Sequence, residues 1–199
     1  MKNKRNVTAG IIILFLGILV LGGIIFYAAR ITANTPRYFV TSKESVASAL
    51  YDDLTSTDLD VAYPDSPEAV MDMYNKTVLL LYGDMIIDES IRQNVLSIQR
   101  QLYSNTILEN NTFETQYENL VSFTNELHTL KAVTTQLERQ DTFFDPEKKL
   151  AEQGQCIVSV KQYITTLGIA YWNYYLDKID GQWKITTWVM TDSHYRPIS

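Results

Sequence analysis

The stretch IAYWNYYLDKIDGQWKITTWVMT, residues 169–191, decides the fold. Asp180-Gly181 is a strong two-residue hairpin signal, because a type I′ turn needs positive φ at both central positions. With these two as the loop, Ile179 pairs with Gln182. The register then sets Trp172 against Val189, Tyr174 against Thr187, Leu176 against Ile185 and Lys178 against Trp183, a mostly apolar face. The other face sets Asp177 against Lys184, Tyr175 against Thr186 and Asn173 against Trp188. An opposite-charge pair therefore falls on the solvent side. A slip of one residue would exchange the faces and spoil both patterns.

Working outward, β-branched and aromatic residues dominate from Lys131 onward. They predict strands near 131–144 and 155–165 ahead of 169–179 and 182–191. Asp145-Pro146 and Gly154 bracket the first connection, and Leu167-Gly168 marks a tight turn. Before Lys131 the apolar period is helical. Thr41-Ser42-Lys43-Glu44 reads as a capping box, followed by Val46, Ala47, Leu50, Tyr51 and Leu54 at helical spacing. Ser66-Pro67-Glu68 starts a helix with the stripe Val70, Met73, Tyr74, Thr77, Val78 and Leu81, ended by Gly83. Asp88 caps a helix that carries Ile91, Val95, Ile98 and Leu102. Asn105 to Thr112 reads as a polar loop, and Phe113, Tyr117, Leu120, Thr124, Leu127 and Leu130 predict one more helix.

At the other end of the chain, Ala9 to Ala29 is a run of 21 residues with no charge. As a helix it reaches about 30 Å, the thickness of a bilayer's hydrocarbon core. A signal h-region is shorter and ends in a small-residue cleavage site, where this chain has Phe26, Tyr27 and Arg30. The run is therefore read as a retained transmembrane helix that binds the lipid bilayer. Lys2, Lys4 and Arg5 crowd its N-terminal flank, so the positive-inside rule leaves the N-terminus in the cytoplasm and the rest outside. The expected organisation is a cytoplasmic tail at 1–8, the span at 9–29, a juxtamembrane linker with a short helix at 30–65, and an extracytoplasmic α+β domain at 66–199.

Of 17 Lys and Arg, four precede residue 31, while all 23 Asp and Glu follow the span. The outer part thus carries 13 positive and 23 negative side chains, a balance of −10. That excludes a basic nucleic-acid footprint, and anionic lipid heads would repel such a body. The single cysteine, Cys156, allows no intrachain disulfide and reads as a small buried residue.

Three helices followed by four antiparallel strands, ending in Asp180-Gly181-Gln182-Trp183-Lys184-Ile185, resemble the nuclear transport factor 2-like superfamily over about residues 66–192. The resemblance implies a curved four-stranded antiparallel sheet wrapped around helices as a cone. One anchor plus such a domain is similar to inner-membrane assembly factors of type IV secretion and conjugation systems. It is also similar to small membrane proteins of Gram-positive bacteria.

Enzymes of that superfamily place an Asp or His in the cone. The predicted inner face here offers Cys156, Val158, Val160, Gln162 and Ile164 on one strand and Trp172, Tyr174, Leu176, Trp183, Ile185, Thr187 and Val189 on the hairpin, with neither residue type. No catalytic, cofactor-binding or metal-binding residue is assigned. An enzyme would need a helix-borne acid, Asp72 or Asp84, turned into the pocket. His128 and His194 have no metal spacing, and Asp192-Ser193-His194 is a run of neighbours rather than a convergent triad. Tyr174, Gln162 and Thr187 could orient a small ligand in the cone. Tyr171, Tyr175, Trp188 and Met190, expected on the outer side of the hairpin, form a candidate interface for a homodimer or an envelope partner. The expected function is that of an anchored interaction or scaffold domain, with small-ligand sensing as the alternative.

Overall fold

A computed structural model describes residues 43–85, 88–140, 150 and 153–198. The expected cytoplasmic tail at 1–8, the expected span at 9–29, the capping-box Thr41 and residues 141–149 lie outside the described residues. Among those described, no helix is long and apolar enough to cross a membrane.

Among the described residues, five helices precede four strands. They are α1 Lys43–Thr55, α2 Pro67–Tyr82, α3 Glu89–Gln101, α4 Asn105–Glu109 and α5 Phe113–Thr129, then β1 Thr134–Gln140, β2 Gln155–Ile164, β3 Gly168–Ile179 and β4 Gln182–Thr191. The strands form one antiparallel sheet in the order β1-β2-β3-β4. The architecture is α+β.

Caps explain where the helices start. Ser66 Oγ accepts from the Ala69 amide at 3.1 Å, with Pro67 preset at the first helical position. Asp88 Oδ1 accepts from the Ile91 amide at 2.9 Å, and Thr112 Oγ1 from the Thr115 amide at 3.2 Å. Gly83 ends α2 because nothing larger fits: a Cβ there would lie 2.2 Å from the Leu79 carbonyl oxygen. The expected loop at 105–112 instead contains α4. Ile107 and Leu108 half-bury against the core, and their amides bond to the Ser104 carbonyl, so tertiary packing completes a turn too short to show a period.

Helix α2 lies between two apolar layers. Val70, Met71, Met73, Tyr74 and Val78 join the side chains under the sheet, among them Val158, Val160, Trp172, Leu176 and Ile185. Leu80 and Leu81 meet Ala47 of α1, Val95 and Leu96 of α3 and Leu120 of α5. This double burial explains why α2 is apolar around more than one stripe. The polar groups at the seam between layers are paired: Gln99 Nε2 donates to Thr77 Oγ1 at 2.9 Å, and Thr77 Oγ1 donates to the Tyr74 carbonyl at 2.7 Å.

The hairpin follows the expected register from Ile179↔Gln182 through Leu176↔Ile185, including Asp177↔Lys184. Asp180 and Gly181 both have positive φ, 50° and 84°, as a type I′ turn requires. The register then shifts. Thr186 bulges, its hydroxyl donates to the Tyr175 carbonyl at 3.1 Å, and the pairs become Tyr175↔Thr187, Tyr174↔Trp188, Asn173↔Val189 and Trp172↔Met190. Beyond Ile185 the two faces of β4 are therefore exchanged relative to the expectation. Trp188 and Met190 turn toward the core, and Thr187 and Val189 turn outward.

The outer edge of β4 is dressed at two points. The segment 102–104 crosses it, with the Ile185 amide donating to the Leu102 carbonyl at 2.8 Å and the Ser104 amide to the Ile185 carbonyl at 2.9 Å. Further along, the chain turns back so that Thr191 bridges Pro197 and the Ile198 amide donates to the Met190 carbonyl at 3.3 Å.

Candidate functional site

Two places gather polar chemistry, one on each face of the sheet. On the core face, Tyr74 of α2 is the hub of a buried tyrosine cluster. Its hydroxyl lies near enough to those of Tyr103 and Tyr174 for the three phenols to act on one another electrostatically. The Tyr74 ring meets Tyr174 edge-on at 5.2 Å and Tyr103 at 6.1 Å, and Trp188 stacks on Tyr103 at 5.9 Å. The bulge at Thr186 aims Trp188 into this stack. Burial raises the pKa of all three phenols, and each near neighbour's negative charge would raise those of Tyr103 and Tyr174 further. The hydroxyls are thus held as neutral donors and acceptors.

The expected ligand trio does not converge. Tyr174 belongs to this cluster. Gln162 is buried but fully engaged, its Nε2 donating to Thr134 Oγ1 at 2.8 Å and its Oε1 accepting from Trp172 Nε1 at 2.9 Å. Both ends of the amide thus brace the sheet rather than face a ligand. Thr187 lies on the outer face, carried there by the bulge. The helix-borne acids do not enter the core either: Asp72 accepts from Arg139 Nε at 3.2 Å with its side chain 54% exposed, and Asp84 is exposed. Cys156 is buried, and desolvation pushes its thiol up to about 12, so it is no thiolate nucleophile near neutrality.

The outer face holds the second gathering. Tyr171 and Tyr175 lie there half-buried, as expected, while Trp188 and Met190 of the same expected interface lie on the core face. Ser159 Oγ donates to Asn173 Oδ1 at 2.7 Å, and Asn173 Nδ2 donates to the Tyr195 carbonyl at 3.0 Å. The Tyr195 ring meets Tyr171 edge-on at 5.6 Å. Its phenol is pushed up to about 12 by desolvation first, then by the negative charge that Tyr171, Glu138 and Tyr163 would bring. Tyr163 itself donates to Glu138 Oε2 at 2.9 Å.

The segment that carries Tyr195 is ordered by one carboxylate. Asp192 Oδ1 accepts from the amides of His194 at 2.8 Å and Arg196 at 3.0 Å, and its Oδ2 accepts from Arg196 Nε at 2.8 Å. The Arg196 side chain and amide hold the Asp192 carboxyl down to about 2. This also disposes of a triad: Asp192 orients no imidazole, and exposed His194 lies 3.4 Å from Ser193 Oγ through Nδ1 alone. Among the described residues no cluster of His, Cys, Asp and Glu could hold a metal ion.

Sequence reading missed Tyr195 as a functional candidate because it looked for one outer strip on the hairpin alone. It missed Tyr74 and Tyr103 as partners of Tyr174 because helix and strand sit about a hundred residues apart in sequence. A signal for the bulge does exist: Trp183 and Ile185 alternate, Thr186-Thr187 interrupts, and Trp188 and Met190 resume one residue late.

Residues 1–188 match the family described as a domain of unknown function, DUF6715, so the match runs through the apolar N-terminal run as well as the body. No curated protein and no solved structure matches.

Proposed function

We propose that this chain, which belongs to the DUF6715 family, is a single-pass membrane protein whose α+β body works outside the cytoplasm by contacting other proteins of a bacterial envelope. The observation that carries the reading is the uncharged run 9–29 behind Lys2, Lys4 and Arg5. The family match includes that run, which supports anchor and body as one unit. The body's acidic balance speaks against nucleic acid and against anionic lipid as its target. Core polar groups such as Gln162 and Gln99 are spent on bracing the fold. A scaffold in a conjugation or secretion assembly is one form this function would take.

The finer architecture proposed is the nuclear transport factor 2-like cone. Its support is the helices-then-sheet order and the register shifts in β1 and β4, because such irregularities bend a sheet. The Asp180-Gly181-Gln182-Trp183 opening of the last strand adds to it.

The deciding experiment has two readings. Alkaline carbonate washing of membranes should leave the full chain in the pellet and release a chain lacking residues 1–30. Protease added to intact cells with permeable outer layers should cut the body. A body cut only after lysis reverses the orientation, and a full chain washed free removes the anchor.

A further inference from the structure

We propose that residues 192–198 form a detachable strap, which covers in cis the outer-face site where an extended, aromatic-bearing segment of a partner protein docks. The inference rests on the reading of this body as an interaction domain and adds how that interaction is regulated.

The outer face is built for a cover. Ser159 and Asn173 are 3% and 7% exposed, although they stand on the side of the sheet away from the helices. A buried hydroxyl–amide pair on such a face makes sense only under another segment, and the Asn173 amide is turned to a carbonyl that this segment brings. Tyr171 offers its ring to an aromatic edge. The strap thus displays the chemistry the site accepts: an extended backbone, a carbonyl for Asn173 and an aromatic ring for Tyr171.

The strap is also a poor occupant. The Tyr195 hydroxyl and Thr191 Oγ1 are buried with no hydrogen-bond partner among the described residues. Tyr195 takes a left-handed backbone, φ 58°, which a bulky side chain rarely adopts. Most of the segment's hydrogen bonds are internal, through Asp192. Among the described residues, its hydrogen bonds to the body are the Asn173–Tyr195 contact and the Ile198–Met190 contact. A segment that is ordered within itself but weakly tied to the body can leave as a unit. It also lies wholly beyond residues 1–188, the portion that matches the family.

The test uses the full chain in its own membrane, with a photo-crosslinking residue either at Lys161, which pairs with Tyr171 on this face, or at exposed Glu118 of α5 on the helical side. The chain is compared with a variant lacking residues 192–199 and with Tyr195→Ala. A labelled peptide with the sequence of residues 191–199 serves as the probe in trans. Strap removal should raise peptide affinity and the crosslinking of other proteins by about ten-fold, the factor expected when a cover keeps the competent state near one part in ten. Tyr195→Ala should give part of that gain while keeping the chain length. Equal crosslinking with and without the strap overturns the strap and leaves the interaction reading standing. Crosslinks confined to other faces overturn docking at this site. Crosslinks from no face at all would count against the interaction reading itself. Unchanged tryptophan emission in the shortened chain checks that the body has kept its fold.

Discussion

At the scale of single residues, the core's polar side chains act as braces. Gln162 ties β1 to β3 through Thr134 and Trp172. Gln162→Leu keeps the volume but leaves a buried hydroxyl and an indole N–H unpaired. It should cost about 2–4 kcal/mol, read as a lower urea midpoint at unchanged slope. Tyr175→Ser on the half-buried outer face should change the midpoint far less. Asp192 supplies a pH test. Its carboxyl is held down to about 2 in the folded strap, against an ordinary value of 3.8. A depressed carboxylate stabilises above its unfolded pKa, and that contribution disappears as pH falls through its folded one. The strap should therefore keep its internal order down to about pH 4 and lose it as the pH falls toward 2. The Arg196 Nε–H resonance, bonded to Asp192, reports the change. Asp192→Asn should remove that transition, and an unchanged titration in that variant would assign the loss of order to another group.

At the scale of elements, the last hairpin shows how far a pattern reaches. Asp180-Gly181 gave the turn, and the alternation of Trp183, Lys184 and Ile185 gave the register as far as Leu176↔Ile185. Beyond that point two threonines and a valine fit either face. The choice was made by partners distant in sequence: segment 102–104 bonds to Ile185, and Tyr103 offers Trp188 a ring to stack on. The helices were legible because caps and period coincide, as at Ser66 and Asp88. Helix α4 was not legible, because five residues cannot display a period. The candidate site was the least legible part, since Tyr74, Tyr103 and Tyr174 come from three separate elements. The bulge makes its own prediction. Trp188→Ala should destabilise by about 2–3 kcal/mol, whereas Val189→Ala on the outer face should cost under about 1 kcal/mol. A larger loss at Val189 than at Trp188 would restore the unbulged register.

At the scale of the whole molecule, burial of phenols sets the alkaline limit. The chain has 13 tyrosines, and among the described ones Tyr63, Tyr74, Tyr82, Tyr103, Tyr174 and Tyr195 have their pKa raised by desolvation. Keeping them neutral favours the folded state fully below the ordinary tyrosine value, and that advantage shrinks as pH rises above about 10. Tyrosinate absorbance should thus rise in two steps, exposed phenols first, with the second step coincident with loss of the circular dichroism signal. A single step complete before unfolding would place those phenols in water.

The dressed margin of β4 has a further consequence at this scale. A protein tethered to a bilayer diffuses in two dimensions, where copies meet often and in similar orientations. A bare strand margin under those conditions invites neighbouring sheets to zip together. Segment 102–104 and the returning C-terminus occupy the backbone groups at Ile185 and Met190. On the proposed anchoring, copies crowded along that side would not polymerise through the last strand while the strap stays docked.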